Sequence, residues 1–126
     1  MSKWIVAKFG GSSVKDGEAM LRVSNVVDNN PDIKIVVISA TQNTTNQLEF
    51  IARAAERGDA ETLASLILEL TNRHTHIANE IFSSEMVHNE LKYLYEEVKL
   101  LGETILNARM FTPKIMDQLY SIGERM

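Results

Sequence analysis

The chain contains no cysteine. That excludes disulfides, thiolate catalysis and cysteine-ligated zinc or iron–sulfur sites, and leaves His, Asp and Glu as the strong metal ligands. Excess positive charge is also lacking: 13 Lys+Arg stand against 17 Asp+Glu, a formal net charge of −4, so no strong electrostatic pull toward nucleic acid is expected. No apolar run approaches the roughly 18 residues that a membrane span needs. The opening Met1-Ser2-Lys3-Trp4-Ile5-Val6-Ala7-Lys8 breaks its apolar stretch with a lysine too early for a signal peptide. A cytoplasmic protein is expected. Internal repeats and low-complexity linkers are missing as well. What is present, 126 residues of which 44% are hydrophobic and 24% charged, is one small globular domain or a piece of a larger one.

Residues Lys3 to Phe9 read as a buried strand, because Trp4-Ile5-Val6-Ala7 is continuously apolar and Gly10-Gly11 ends it. From Asp16, an N-cap, the positions Ala19, Met20, Val23, Val26 and Val27 recur at helical spacing until Asn29-Asn30-Pro31. Ile33 to Ser39 is again nearly all apolar, the pattern of a parallel strand covered on both faces. A polar loop from Ala40 to Asn46 leads to a helix carrying Leu48, Ile51, Ala52 and Ala55, with Gly58 as its stop and Thr44 and Gln47 at capping-box spacing. Leu63, Ile67, Leu70, His74, Ile77 and Ile81 form one seam. After Ser83-Ser84, Val87, Leu91, Leu94, Val98, Leu101 and Ile105 form a second. The two long helices are expected to zip into an antiparallel hairpin. Thr112-Pro113 opens a last helix with Ile115, Met116, Leu119, Tyr120 and Ile122 on its apolar side. That helix ends at Gly123-Glu124-Arg125-Met126 without a stop signal, and two buried strands alone make a marginal sheet. Further sheet is therefore expected downstream.

The segment Val6 to Val14 joins strand to helix through two glycines and two hydroxyls. Glycines let backbone N–H groups approach an anion, Ser12 and Ser13 add donors, and the next helix is expected to aim its positive end at the same place. Lys8 at the strand end can put a full charge on a phosphoryl group in transfer. The lysine precedes the glycines, so this is not a P-loop, and the spacing alone leaves a plain turn with a solvated lysine as the alternative.

Lys8-Phe9-Gly10-Gly11-Ser12-Ser13-Val14 resembles the opening signature of the aspartate kinases, K-F-G-G-[ST]-S-V, within the amino acid kinase superfamily. Val36-Val37-Ile38-Ser39-Ala40 followed by Thr45-Asn46 and Leu48 is similar to that family's V-V-x-S-A block and its T-N-x-L. Ser121-Ile122-Gly123-Glu124 resembles its S-x-G-E helix motif. The resemblance implies an α/β fold, the N-terminal part of a three-layer α/β/α amino acid kinase-like sandwich, with two parallel strands joined by a right-handed crossover and a long helical hairpin. Residues 1–126 would then be an incomplete portion of the catalytic domain. The activity implied is transfer of the γ-phosphoryl of ATP to the side-chain carboxylate of L-aspartate, the first step toward lysine, threonine and methionine. By the match, Lys8 stabilises charge on the moving phosphoryl group, and Lys8, Gly10, Gly11 and Ser12 meet the ATP phosphates. Ser39 and Thr45 line the aspartate pocket, Glu124 accepts a hydrogen bond from the substrate ammonium, and Mg2+ is held through the ATP phosphates rather than by residues of this chain.

Ser12 stands where the family more often has threonine, and the stretch from Thr41 to Thr44 is more polar than the family's small-residue loop. The family's arginine for the aspartate carboxylate, its catalytic aspartate, its adenine site and its ACT domains are expected beyond residue 126, so the fragment alone is expected to be inactive. The complete protein is expected to be a homo-oligomer without nucleic-acid or membrane partners. Two alternatives remain: an acetylglutamate or glutamate kinase-like member of the superfamily, or a non-enzymatic helical hairpin spanning residues 47 to 110 that binds a partner helix. His74 and His76 are two apart and point to different faces. His74 falls on the seam as a satisfied interface histidine, and His76 with Glu80 makes a solvent-face pair. His88 has no constellation, and Lys92, Glu96, Glu97 and Lys99 read as a solvated face.

Overall fold

The structure, a computed structural model, describes residues 3–81 and 84–126. The readings placed on Met1, Ser2 and Ser83 lie outside the described residues. The elements in order are β1 (Ile5–Phe9), α1 (Gly17–Asp28), β2 (Ile33–Ile38), α2 (Thr44–Glu56), α3 (Ala60–Ile81), α4 (Glu85–Ala108) and α5 (Pro113–Arg125), with a short 3-10 turn at Gly11–Val14. β1 and β2 pair in parallel, Lys8 opposite Val37 and Phe9 opposite Ile38. Lys3 and Trp4 fall outside the strand, because pairing begins where Ile5 donates its N–H to the Asp32 carbonyl.

The helix boundaries follow local chemistry. Asp16 caps α1 by accepting the Ala19 N–H at 2.8 Å, and Thr112 caps α5 by accepting the Ile115 N–H at 3.2 Å with Pro113 as the first helical residue. At the end of α2, Gly58 takes φ +75°, and the N–H groups of Gly58 and Asp59 bond to the carbonyls of Ala55 and Ala54. This closure needs a residue free to enter the left-handed region.

Leu48, Ile51, Leu70, Leu94, Val98, Ile105, Leu119 and Ile122 form one core, drawn from α2 to α5 only. The antiparallel hairpin is present: Thr75 meets Tyr95 near one end of the α3–α4 seam, and Gly102 lies against Leu63 and Ile67 toward the other. Burial raises the Tyr95 phenol above its usual range.

The strands depart from expectation, because they are not buried. Val6, Ile35, Val37 and Ile38 all stand exposed. Alternation places Phe9, Val36 and Ile38 on the face that looks toward α1 across an open groove, and Val6, Lys8, Ile35 and Val37 on the other face. Their apolar pattern answers to cover that the described residues do not supply. No helix among the described residues is long and apolar enough to cross a membrane.

Candidate functional site

Both strands end at the same edge, so the turn after β1 and the loop after β2 lie side by side, in the position where open parallel sheets bind ligands. Ser39 donates its N–H to the Phe9 carbonyl at 3.0 Å. Gly11 sits against the second loop so closely that a Cβ there would lie 3.4 Å from both the Ala40 carbonyl and the Gln42 backbone. Gly10 faces open space. Lys8, Gly10 and Ser12 are exposed, so a charged amine, a backbone free of side chain and a hydroxyl are all available at this edge.

The third motif arrives from the far end of the chain. The Glu124 carboxylate accepts the Ala40 N–H at 3.0 Å, across 84 residues of sequence. Gly123 makes this possible, because α5 crosses α2 where a Cβ would lie 2.7 Å from a Leu48 methyl and 3.1 Å from the Thr44 methyl. Glu124, Ser39, Ala40 and Thr41 share the wall of a groove of 490 Å³ with Val23, Val27, Val36 and Ile38. Of the residues expected to meet substrate, the structure brings Ser39 and Glu124 together. Thr45 sits exposed at the start of α2, outside that wall.

Two local expectations fail. Thr44 and Gln47 do not form a capping box. Asn43, at φ +68°, precedes α2 without a side-chain cap, because Thr44 and Gln47 both turn to Arg73 of α3. Arg73 donates Nη1 to Thr41 Oγ1 at 2.9 Å, Nη2 to Thr44 Oγ1 at 2.7 Å, and Nε to Gln47 Oε1 at 3.1 Å. The N-terminus of α1 is likewise not free for an anion. Its Gly17 N–H is taken by Glu80 of α3 at 2.9 Å, and Gly17 is required there because a Cβ would collide with the Glu80 side chain. The donors at the β1 turn are therefore loop groups and Lys8, not the helix.

His74 is a satisfied core histidine, as its place on the seam predicts. Its Nδ1 lies 3.0 Å from the Leu70 carbonyl, which can only accept, so Nδ1 carries the proton and Nε2 accepts from the Thr41 hydroxyl at 3.0 Å. Thr41 in turn accepts from the Thr44 hydroxyl. Burial holds His74 below its usual pKa, aided by the neighbouring Arg73 charge, and burial also lowers Arg73. His76 pairs with Glu80 at 3.0 Å on the surface. Arg73 lies beside a seam whose apolar spacing carries no sign of it, and Glu80, expected only as the partner of His76, also takes the Gly17 N–H. The one signal available was a long polar side chain flanking that seam opposite a loop rich in hydroxyls.

The amino acid kinase family profile matches residues 3–126. The chain is 32% identical over 126 residues to the lysine-sensitive aspartokinase 3 of Escherichia coli, covering all of this chain and 27% of that one. A protein of Haemophilus influenzae named "Putative inactive aspartokinase 3" is 33% identical over 84 residues, 67% of each chain. The crystal structure of E. coli aspartokinase III with aspartate and ADP superposes with a TM-score of 0.87 at 28% identity, over 98% of this chain and 26% of that one. The chain thus spans about a quarter of the length of its E. coli relative. With the profile spanning the two loops and the Glu124 helix alike, the chain belongs to the amino acid kinase family, and its relatives within that family are aspartokinases.

Proposed function

We propose that this chain carries the phosphate-facing and aspartate-facing loops of an aspartate kinase, which moves the γ-phosphoryl of ATP onto the side-chain carboxylate of L-aspartate. The observation that carries this reading is the meeting of three motifs far apart in sequence, with Gly11 and Glu124 both seated on the loop from Ala40 to Gln42. An E. coli relative of the same fold binds aspartate and ADP.

In this reading Lys8, Gly10, Gly11 and Ser12 meet the ATP phosphates, and Lys8 offsets the charge that develops on the phosphoryl group in flight. Ser39, Thr45 and Glu124 face the amino acid, with the Glu124 carboxylate opposite its ammonium. The β1 turn offers an amine, N–H groups and hydroxyls but no carboxylate, so it suits phosphate oxygens. It does not itself fit Mg2+, which accompanies the nucleotide. Residues 1–126 form a portion of the kinase domain, inactive alone, in a cytoplasmic and homo-oligomeric whole.

The test is an ATP-dependent aspartyl-hydroxamate assay. It is run on the chain alone and on a graft in which residues 3–126 replace the matching quarter of the E. coli aspartokinase. We expect turnover of aspartate by the graft, none of glutamate or acetylglutamate, and none by the chain alone. A folded graft that phosphorylates none of them, or prefers glutamate, overturns the reading. A second reading, a non-catalytic helical module, is favoured by one observation: the core is drawn from α2 to α5 without either strand.

A further inference from the structure

We propose that Arg73, on α3, is a positioning residue for the amino acid site, fixing the loop from Ser39 to Thr45 through its fork of donors. The inference rests on the aspartate-kinase reading above and concerns a residue that touches neither substrate nor nucleotide in it.

The loop leaves β2 at Ser39, turns through Asn43 in the left-handed region and enters α2 at Thr44. Between those points it has few backbone bonds of its own, the Thr44 N–H to the Thr41 carbonyl at 3.1 Å being one. Its two buried polar residues are threonines, Thr41 at 6% and Thr44 at 0% exposure. A buried hydroxyl without a partner is costly, so the loop holds its shape only where both are satisfied.

Arg73 satisfies both at once and adds Gln47 one turn into α2. The hydrogen bonds run in one direction. His74 gives Nδ1–H to Leu70, Thr41 gives its hydroxyl to His74, Thr44 gives its hydroxyl to Thr41, and Arg73 donates into the remaining lone pairs. Every proton has one place to be, so the loop has one arrangement. A planar fork reaching two hydroxyls and an amide cannot be reproduced by a lysine, which carries the charge on a single nitrogen. No carboxylate lies within ion-pair distance of Arg73 among the described residues, so its donors serve the loop and the first turn of α2. Ser39 and Thr45 bracket this segment, and the Ala40 N–H within it holds Glu124.

The experiment compares Arg73→Met and Arg73→Lys with the unsubstituted graft of residues 3–126 in the E. coli aspartokinase. For both variants KM for aspartate should rise roughly tenfold or more, the loss expected for several charge-assisted bonds. KM for ATP should stay within a factor of about two and kcat within about three. An unchanged KM for aspartate overturns the proposal, and so does a joint loss of kcat and both KM values, which a merely structural role would give. If the unsubstituted graft folds without activity, the functional reading fails, and positioning is then judged on the 126-residue chain by amide hydrogen exchange. Exchange at Ala40 and Thr44 to Gln47 accelerated about tenfold, with α4 unaffected, supports loop positioning. A uniform change, or none, overturns it.

Discussion

Replacing the two helical glycines Gly102 and Gly123 by alanine should move stability in opposite directions, and the sign follows from what each new Cβ meets. Alanine is favoured over glycine in a helix interior by about 1 kcal/mol. At Gly102, inside α4, the new atom would find Leu63 Cδ1 at 3.3 Å, Ile67 Cδ1 at 3.6 Å and Leu63 Cδ2 at 3.7 Å, all ends of side chains, with Ile67 only partly buried. A shift of a few tenths of an ångström accommodates it, so the gain of up to about 1 kcal/mol survives. At Gly123 the same atom would lie 2.7 Å from Leu48 Cδ1 and 3.1 Å from Thr44 Cγ2. Leu48 and Thr44 are both fully buried, and Thr44 is pinned by Arg73 and Thr41. Neither can swing aside, and overpacking of this kind costs about 1–3 kcal/mol. The propensity gain is also smaller near the end of α5, so the net loss is about 1–2 kcal/mol, or roughly 3–8 °C in Tm for a chain of this size. Urea and thermal unfolding by circular dichroism measure both variants, and hydrogen exchange at Ala40 adds a local signature. α5 cannot back away from α2 without drawing Glu124 off the Ala40 N–H. Equal stability of the two variants, or a more stable Gly123→Ala, would refute the close-approach argument.

In the active graft, Lys8→Ala should lower kcat by about a hundredfold or more, since a positioned charge on the phosphoryl group acts mainly in the transition state; an unaltered kcat removes that role. Glu124→Gln keeps an acceptor for Ala40 but loses the charge that the proposed reading sets opposite the substrate ammonium, so KM for aspartate should rise while KM for ATP holds. An unchanged KM for aspartate takes Glu124 out of the substrate site. Because the fold lowers the His74 pKa from its ordinary 6.5, the unfolded chain binds more protons below about pH 6.5. Stability should therefore be full above that value and fall as the pH drops through 6.5 toward the folded pKa. His74→Gln should flatten this slope in urea midpoints between pH 5 and 8, and a His74 ring that titrates above 6.5 by NMR contradicts it. Deleting residues 1–40 should leave a cooperatively unfolding helical unit, as its core contains no strand residue; loss of cooperative unfolding would count against an independent core.

Element order, the caps at Asp16 and Thr112, the Gly58 stop and both seams were legible because each rests on interactions within a few residues of sequence. The same held for the loop motifs, whose meaning came from residue type in a fixed order. Burial of the strands was misjudged because an apolar pattern records the surroundings a segment is suited to, and β1 and β2 are open here on both faces. The capping box failed for a related reason. Thr44 and Gln47 have the right spacing, but Arg73 lies 26 residues beyond Gln47 in sequence and outcompetes the local partner. Nor could spacing show that Glu80 fills the α1 N-terminus, since that contact joins residues 63 positions apart.

These long-range contacts share a feature that bears on how the site works. The helical core of α2 to α5 contains no residue of β1, α1 or β2, and that unit meets it where α1 packs beside α3, with Met20 and Ile77 lining one pocket, and through two hydrogen bonds, Gly17 to Glu80 and Ala40 to Glu124. Both hydrogen bonds use a backbone N–H, and within the strand unit Gly11 comes close against the Ala40 carbonyl. The turn after β1 belongs to the strand unit, whereas the loop from Thr41 to Thr44 is bound by Arg73 and His74 to the helical one. Glu124 stands at the joint, where one carboxylate both ties Ala40 in place and faces the groove. In the proposed reading, a ligand that bonds to that carboxylate competes with, or shares, its contact with Ala40, so binding of the amino acid and the position of the loop after β2 are linked through a single side chain.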